Sequence, residues 1–211
     1  TCRICNSTQL STIMSLGEQH IAAYTPRASD PNPILDKFPL ELIRCTEPDC
    51  GLVQLRHSTP SDILYERYFY RSGINKTMTK NLKEITIQAI SKVELHDNDI
   101  VLDIGCNDGT LLKNYQGKNL RSVGIDPAKN MTEFSKECGA DIIVDYFNSK
   151  SFTDHYSDEK AKIITSISMF YDLEDPNQFV SDIVNILAKE GVWVIEFKYL
   201  PTMIFQNAFD N

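Results

Sequence analysis

Ile100-Val101-Leu102-Asp103-Ile104-Gly105-Cys106-Asn107-Asp108-Gly109 is the stretch on which the fold turns. Four of its first five residues are apolar and three are β-branched, the composition of a short strand buried on both faces. Two glycines among polar residues then break the strand, and Thr110 to Tyr115 reads as a helix. Ser122-Val123-Gly124-Ile125-Asp126 follows as a second buried strand, this one ending in a carboxylate. A strand, a glycine loop, a helix and an acid at the tip of the next strand form a nucleotide-binding β-α-β unit, in which the acid grips a ribose diol.

The alternation continues outward. Ala140 to Phe147 reads as a third strand ending in Asp145 beside Tyr146 and Phe147, and Lys162 to Met169 as a fourth. Asp175-Pro176 opens a helix running to about Leu187, and Val192 to Phe197 is a fifth strand, with Trp193 in the core. Upstream, between Asp62 and Val93, apolar residues such as Leu82, Ile85, Ile90 and Val93 recur at helical spacing. The expectation is an α/β fold: a doubly wound, mostly parallel, Rossmann-like sheet over residues 98–211, preceded by a helical linker over 61–97. Ligands of such sheets sit at the carboxyl ends of the strands, which places Ser168, Met169 and Glu196 near the site.

Charge selects the ligand. Asp103 ends the first strand, where its carboxylate would repel a pyrophosphate and attract the ammonium of a methionine moiety. Thr110 stands where a dinucleotide fingerprint has its third glycine. S-adenosylmethionine fits and NAD does not. The expected contacts are Asp103, Gly105, Asn107 and Gly109 in the loop, Asp126 and Pro127 at the ribose, and Ser168 after the fourth strand. Asp145 would accept from the adenine amino group while Tyr146 or Phe147 covers the ring, although both aromatics also suit the core. Cys106 reads as a loop filler and Cys138 as a helix residue, neither of them reactive.

The first sixty residues follow different rules. Cys2-Arg3-Ile4-Cys5 and Cys45-Thr46-Glu47-Pro48-Asp49-Cys50 are two knuckles offering four thiolates, with Gly51 allowing a tight turn after the second. The connection between them carries Pro26, Pro31, Pro33 and Pro39 and no sustained helical period, so it cannot build a core by itself. Metal binding, about 10–16 kcal/mol in small zinc peptides, would supply the missing stability. Cys2, Cys5, Cys45 and Cys50 therefore read as ligands of a structural zinc in a domain over residues 1–60, with disulfides or free thiols as the alternative. Four protein ligands leave no position for an activated water.

Composition excludes other classes. The 211 residues are 42% hydrophobic and 24% charged, ordinary globular usage, and carry a formal charge of −8. No basic surface is available to displace counterions from nucleic acid, which argues against a zinc-knuckle module that binds RNA. No apolar run approaches the ~20 residues that span a bilayer, and Thr1-Cys2-Arg3 does not open a secretion signal, so the reading is a cytoplasmic protein with no membrane partner. Nothing in the sequence speaks to oligomeric state.

Four segments together carry a family likeness. Cys2-x-x-Cys5, Cys50-Gly51-Leu52-Val53-Gln54-Leu55, Tyr65-Glu66-Arg67-Tyr68-Phe69-Tyr70-Arg71-Ser72 and Val101 to Leu112 resemble the C-methyltransferases of nucleotide-activated deoxysugars, with Gly124-Ile125-Asp126-Pro127 and Tyr199-Leu200 also in agreement. The likeness runs from Cys2 to Phe209. It implies a zinc domain, a class I S-adenosylmethionine domain, and a reaction in which a proton leaves the carbon beside a ketone and the enolate carbon is methylated. It implies a small-molecule partner, a nucleotide-linked ketosugar, with Tyr68 and Tyr70 beside cofactor and substrate in a catalytic role.

Two departures qualify the likeness. The family carries Asn and then His after the fourth strand, where this chain has Ser168-Met169-Phe170-Tyr171-Asp172. The family also continues past Asn211 with two more strands and a Tyr-His-Glu-His segment, so the chain reads as truncated and the general base is expected beyond Asn211. His20, His57, His96 and His155 match no catalytic position and read as surface or linker residues. Methyl transfer to oxygen or nitrogen of another metabolite, or cofactor binding without turnover, remain open readings.

Overall fold

The computed structural model describes residues 1–21, 28–29 and 36–208, so that Pro26, Pro31 and Pro33 and the final residues from Phe209 lie outside the described residues. The central feature is a five-stranded parallel sheet built from β4 (Ile100–Ile104), β5 (Arg121–Ile125), β6 (Asp141–Ile143), β7 (Ala161–Ile167) and β8 (Leu187–Glu196), in the order β6-β5-β4-β7-β8. The period of two in β4 sorts its side chains. Ile100, Leu102 and Ile104 face a core shared with Phe152 of α4 (Ser149–Tyr156) and Phe179, Ile183 and Ile186 of α5 (Pro176–Ile186). Val101 faces the opposite core, with Leu82 and Ala89 of α2 (Lys76–Ile90) and Leu111, Leu112 and Tyr115.

Helix starts follow capping chemistry. Asn75 accepts from the amides of Thr77 and Met78 at the head of α2, and Asn148 and Ser151 form a reciprocal box at the head of α4. Asp175 accepts from Gln178 N with Pro176 in the first turn of α5, as its sequence leads one to expect.

Elsewhere the elements are shorter than expected. The helix anticipated over Thr110 to Tyr115 is a 3₁₀ turn at Leu112–Tyr115, because the Asn114 side chain donates to the Thr110 and Leu111 carbonyls and takes acceptors a longer helix would use. The linker is not continuously helical. It holds α1 (Ser61–Tyr65) and α2 with an irregular stretch between, and α3 (Thr132–Lys136) ends before Cys138, which lies in the turn that follows. The chain ends its described part in α6 (Leu200–Gln206), and no helix among the described residues is long and apolar enough to cross a membrane.

A separate three-stranded antiparallel sheet comprises β1 (Leu10–His20), β2 (Lys37–Cys45) and β3 (Val53–Leu55). It has almost no apolar core. β1 is exposed beyond Leu10, and the buried hydrophobics among the described residues of this region are Cys2, Ile43 and Cys45. Cys45 ends β2 and Cys50 sits in the turn before β3, while Cys2 and Cys5 approach from the amino-terminal turn. The four Sγ atoms lie within 4.8 Å of one another, with Cys2–Cys50 and Cys5–Cys45 at 3.6 Å. Sulfurs held tetrahedrally at about 2.3 Å from one ion would stand about 3.8 Å apart, so these separations suit zinc and are too long for disulfides. Buried Gln54 joins the knuckle to β3, accepting from Arg3 N at 2.9 Å and donating to Thr1 O at 3.1 Å.

A sheet with so little core depends on its ion. Metal analysis is expected to give one zinc per chain. Chelation should open amide exchange across β1 to β3 while β4 and β7 stay protected; a metal-free protein with unchanged exchange would overturn the assignment.

Candidate functional site

A cleft of about 440 Å³ opens over the carboxyl ends of β4, β5 and β7, where the strand order reverses. Asp103, Asp126, Asp172 and Glu174 line it, and among the described residues its wall holds no lysine, arginine or histidine.

Asp103 lies opposite Thr165 in the β4–β7 ladder, and Thr165 Oγ1 donates to its carboxylate at 2.6 Å. Only 4% exposed, it is pushed up to about 7 by burial, against the Thr165 bond, with the Asp126 charge adding to the rise. Asp126 follows β5 and is better satisfied: Ala128 N donates to one oxygen and Asn107 N to the other, each at 2.8 Å. Burial still raises it, opposed by those two amides. The Gly105 amide donates to Ile125 O at 2.8 Å with φ of 73°, a left-handed turn that a side chain would strain. That turn brings the loop across the tips of both strands.

The loop's polar side chains do something the sequence did not suggest. Asn107 Nδ2 donates to Tyr70 O at 2.9 Å and its Oδ1 accepts from Ser72 N at 3.0 Å. Asp108 Oδ2 accepts from Gly73 N at 2.9 Å and stands 3.7 Å from Arg71, whose guanidinium covers the Phe134 ring at 3.5 Å. Asn130 holds Tyr68 from both sides, accepting from its amide at 3.0 Å and donating to its carbonyl at 2.7 Å. The irregular stretch between α1 and α2 is thus stitched along the cleft, and Tyr65, Tyr68 and Tyr70 line the wall. Tyr68 is raised by burial and then by the charges of Asp172 and Asp126, so it remains a neutral donor at ordinary pH.

Of the residues expected at the site, the cleft gathers Tyr68, Tyr70, Asp103, Gly105, Asn107, Asp126, Pro127, Tyr146, Phe147 and Ser168. Three expectations are corrected. Gly109 lies outside the lining: its φ is 73° and an added Cβ would stand 2.8 Å from Cys138 Sγ, so it is a packing position beneath the loop. Asp145 is exposed because β6 ends at Ile143, and its carboxylate accepts from Tyr146 N at 2.7 Å rather than facing the cleft. Glu196 is drawn away by Asn81 of α2, which donates to both its oxygens at 2.9 and 3.2 Å. Cys106 and Cys138 are buried, and burial raises both thiols, so neither is activated. All four histidines are exposed and none lines the cleft.

Comparison with known proteins agrees with this geometry. A family model described as a methyltransferase domain matches residues 102–195. A model described as a zinc binding domain matches residues 2–65, in front of the methyltransferase domain. The whole chain aligns with a C-methyltransferase, NovU, of Streptomyces niveus at 24% identity, and spans 50% of that relative's length. Solved structures similar to this chain include the plantazolicin methyltransferase BpumL with a pentazolic desmethylPZN analog and SAH, at 18% identity and a TM-score of 0.52, covering 66% of this chain and 55% of that one. BpumL with SAH alone gives 19% and 0.52, covering 64% and 52%. At such identity the likeness is one of fold.

The stitching predicts a local effect. Replacing Asn130 with Ala removes two hydrogen bonds from Tyr68, at about 0.5–1.5 kcal/mol each. Hydrogen exchange should accelerate roughly tenfold or more across residues 66–73 and stay unchanged in β4; uniform exchange across both would contradict the clasp.

Proposed function

We propose that the cleft binds S-adenosylmethionine and that the protein is a methyltransferase acting on carbon of a small molecule. The observation that carries the reading is a cleft wall with four carboxylates and, among its described residues, no cation. A sulfonium and an ammonium are welcome there, and a diphosphate is not. Asp126 would accept from the two ribose hydroxyls and Pro127 would flank the sugar. Asp103, across the Gly105 turn, would face the methionine ammonium, with Asn107 fixing the loop and Ser168 closing the opposite side. Tyr146 and Phe147 would cover the adenine. The SAH held by the structurally similar BpumL supports the choice of donor.

The likeness to a C-methyltransferase over the whole chain supports carbon as the atom methylated. A nucleotide-linked ketosugar is the acceptor that the resemblance of the tyrosine segment and the glycine loop implies. Tyr68 and Tyr70 would line the acceptor half, where a neutral phenol donates a hydrogen bond to a ketone or enolate oxygen. The nucleotide diphosphate would lie outside this acidic cleft. In this division residues 1–60 form the zinc domain, 61–97 the linker that carries the tyrosines, and 98–211 the donor-binding domain.

Calorimetry with S-adenosylmethionine tests the donor site. Asp126→Ala is expected to weaken binding by about 1–3 kcal/mol. Because Asp103 titrates near 7 and only its ionised form attracts a cation, affinity should rise as pH increases from about 6 to 7.5. Asp103→Asn should flatten that rise. Equal binding by the Asp126 variant, or a pH rise that survives in Asp103→Asn, would remove that residue from the site.

A further inference from the structure

The tyrosine segment between α1 and α2 alternates. Tyr68, Tyr70 and Ser72 line the cleft, while the residues between and beyond them do not: Phe69 is 59% exposed, Arg71 lies on the Phe134 ring, and Gly73 meets Asp108. A period of two is that of an extended chain with one face turned to the cleft, and Arg71 has the matching backbone angles, φ of −122° and ψ of 122°. Residues 66–73 thus form a strap along the cleft.

The strap is fastened at both ends, each time to a loop that also holds Asp126. In the loop after β5, Ala128 N donates to Asp126 and the next two residues take the strap, Lys129 N donating to Glu66 O at 3.2 Å and Asn130 bracketing Tyr68. In the loop after β4, Asn107 N donates to Asp126 while the side chains of Asn107 and Asp108 take Tyr70, Ser72 and Gly73. The strap therefore ties together the two loops between which a nucleoside at Asp126 would lie.

Asp108 is the tightest point of this fastening. It is 2% exposed, and its Oδ1 accepts from Thr110 Oγ1 at 2.6 Å and from Thr110 N at 3.2 Å, which leaves Oδ2 for Gly73 N at 2.9 Å. The approach has no room for a side chain. A Cβ on Gly73 would stand 2.8 Å from both Asp108 Oδ2 and Thr110 Oγ1, and the two side chains are hydrogen-bonded to each other, so neither steps aside freely. Neither Asp108 nor Gly73 lines the cleft. What this buried carboxylate controls is where the strap lies.

We propose that the strap is a clamp that holds the donor in its site, and that Asp108 is the residue that positions it, acting through Gly73 rather than by touching the donor. This rests on the reading of the cleft as an S-adenosylmethionine site. A nucleoside that spans the two loops finds them already tied, so less of its binding energy goes into ordering them. By linkage, the donor tightens the strap by the same factor as the strap tightens the donor. The face that closes carries Tyr68 and Tyr70, so the wall offered to an acceptor is set once the donor is in place. Donor before acceptor is the binding order this arrangement favours.

The test follows release of radiolabelled S-adenosylhomocysteine from the full-length protein into an excess of unlabelled ligand, with association rates and amide exchange read in parallel. In the unaltered protein the ligand should slow exchange at residues 68–73 by roughly tenfold. Gly73→Ala fills the space at the contact, and Asp108→Asn removes the second carboxylate oxygen. Each should speed release by roughly tenfold or more, the worth of one hydrogen bond to a charged group. Association should be as fast or faster, protection at 68–73 should no longer follow the ligand, and exchange in β4 should stay unchanged. A donor site merely damaged by the substitutions would slow association instead, and that result would overturn the clamp. Release within about twofold of the unaltered protein in both variants would also overturn it and leave the donor reading standing. An unaltered protein that does not bind S-adenosylhomocysteine would overturn both.

Discussion

Asp103 is a carboxylate at the tip of the central strand, buried on all sides, with one hydroxyl hydrogen bond and no cation among the described residues lining its cleft. Burying such a group unpaired is costly, and the protein meets part of that cost by letting it titrate near neutrality. The functional reading follows from this single constraint. A site that places unanswered negative charge beside Asp126 at the topological switch point of a parallel sheet is poised for a positively charged nucleoside. The rest of the donor half is backbone geometry, with the left-handed turn at Gly105 and the two amides on Asp126 holding the loop across the strand tips.

The wall of the cleft that carries the tyrosines is held by longer-range bonds. Asn107, Asp108 and Asn130 use side-chain amides and a carboxylate to grip the backbone of Tyr68, Tyr70, Ser72 and Gly73. One side of the loop thus lines the cleft while its side chains anchor the strap of tyrosines. The loop and the strap are therefore tied to each other by these bonds. The zinc knuckle adds a third anchor, since Asn177 at the start of α5 donates to Ile4 O at 2.8 Å between two of the cysteines.

Much of this was legible in the residues. Buried parallel strands announce themselves as continuous apolar runs, so β4, β5 and β7 were evident, and paired cysteines identify a thiolate cluster by spacing alone. Asp175-Pro176 marked α5 because capping is local chemistry. The misses were nonlocal. Asn107 reaches Ser72 across 35 positions and Asn130 reaches Tyr68 across 62, distances over which no periodicity or motif operates. Gly109 looked like a ligand-facing glycine, yet its reason lies in Cys138 below it. Asp145 was misplaced by assuming that β6 runs to its last apolar residue.

The account is tested most directly by a crystal structure of the protein with S-adenosylhomocysteine. It predicts the ribose hydroxyls on Asp126, the ammonium within hydrogen-bond distance of Asp103, and the adenine against Tyr146 or Phe147. A ligand bound with its ribose away from Asp126, or its amino group away from Asp103, would contradict the electrostatic basis on which the site has been read.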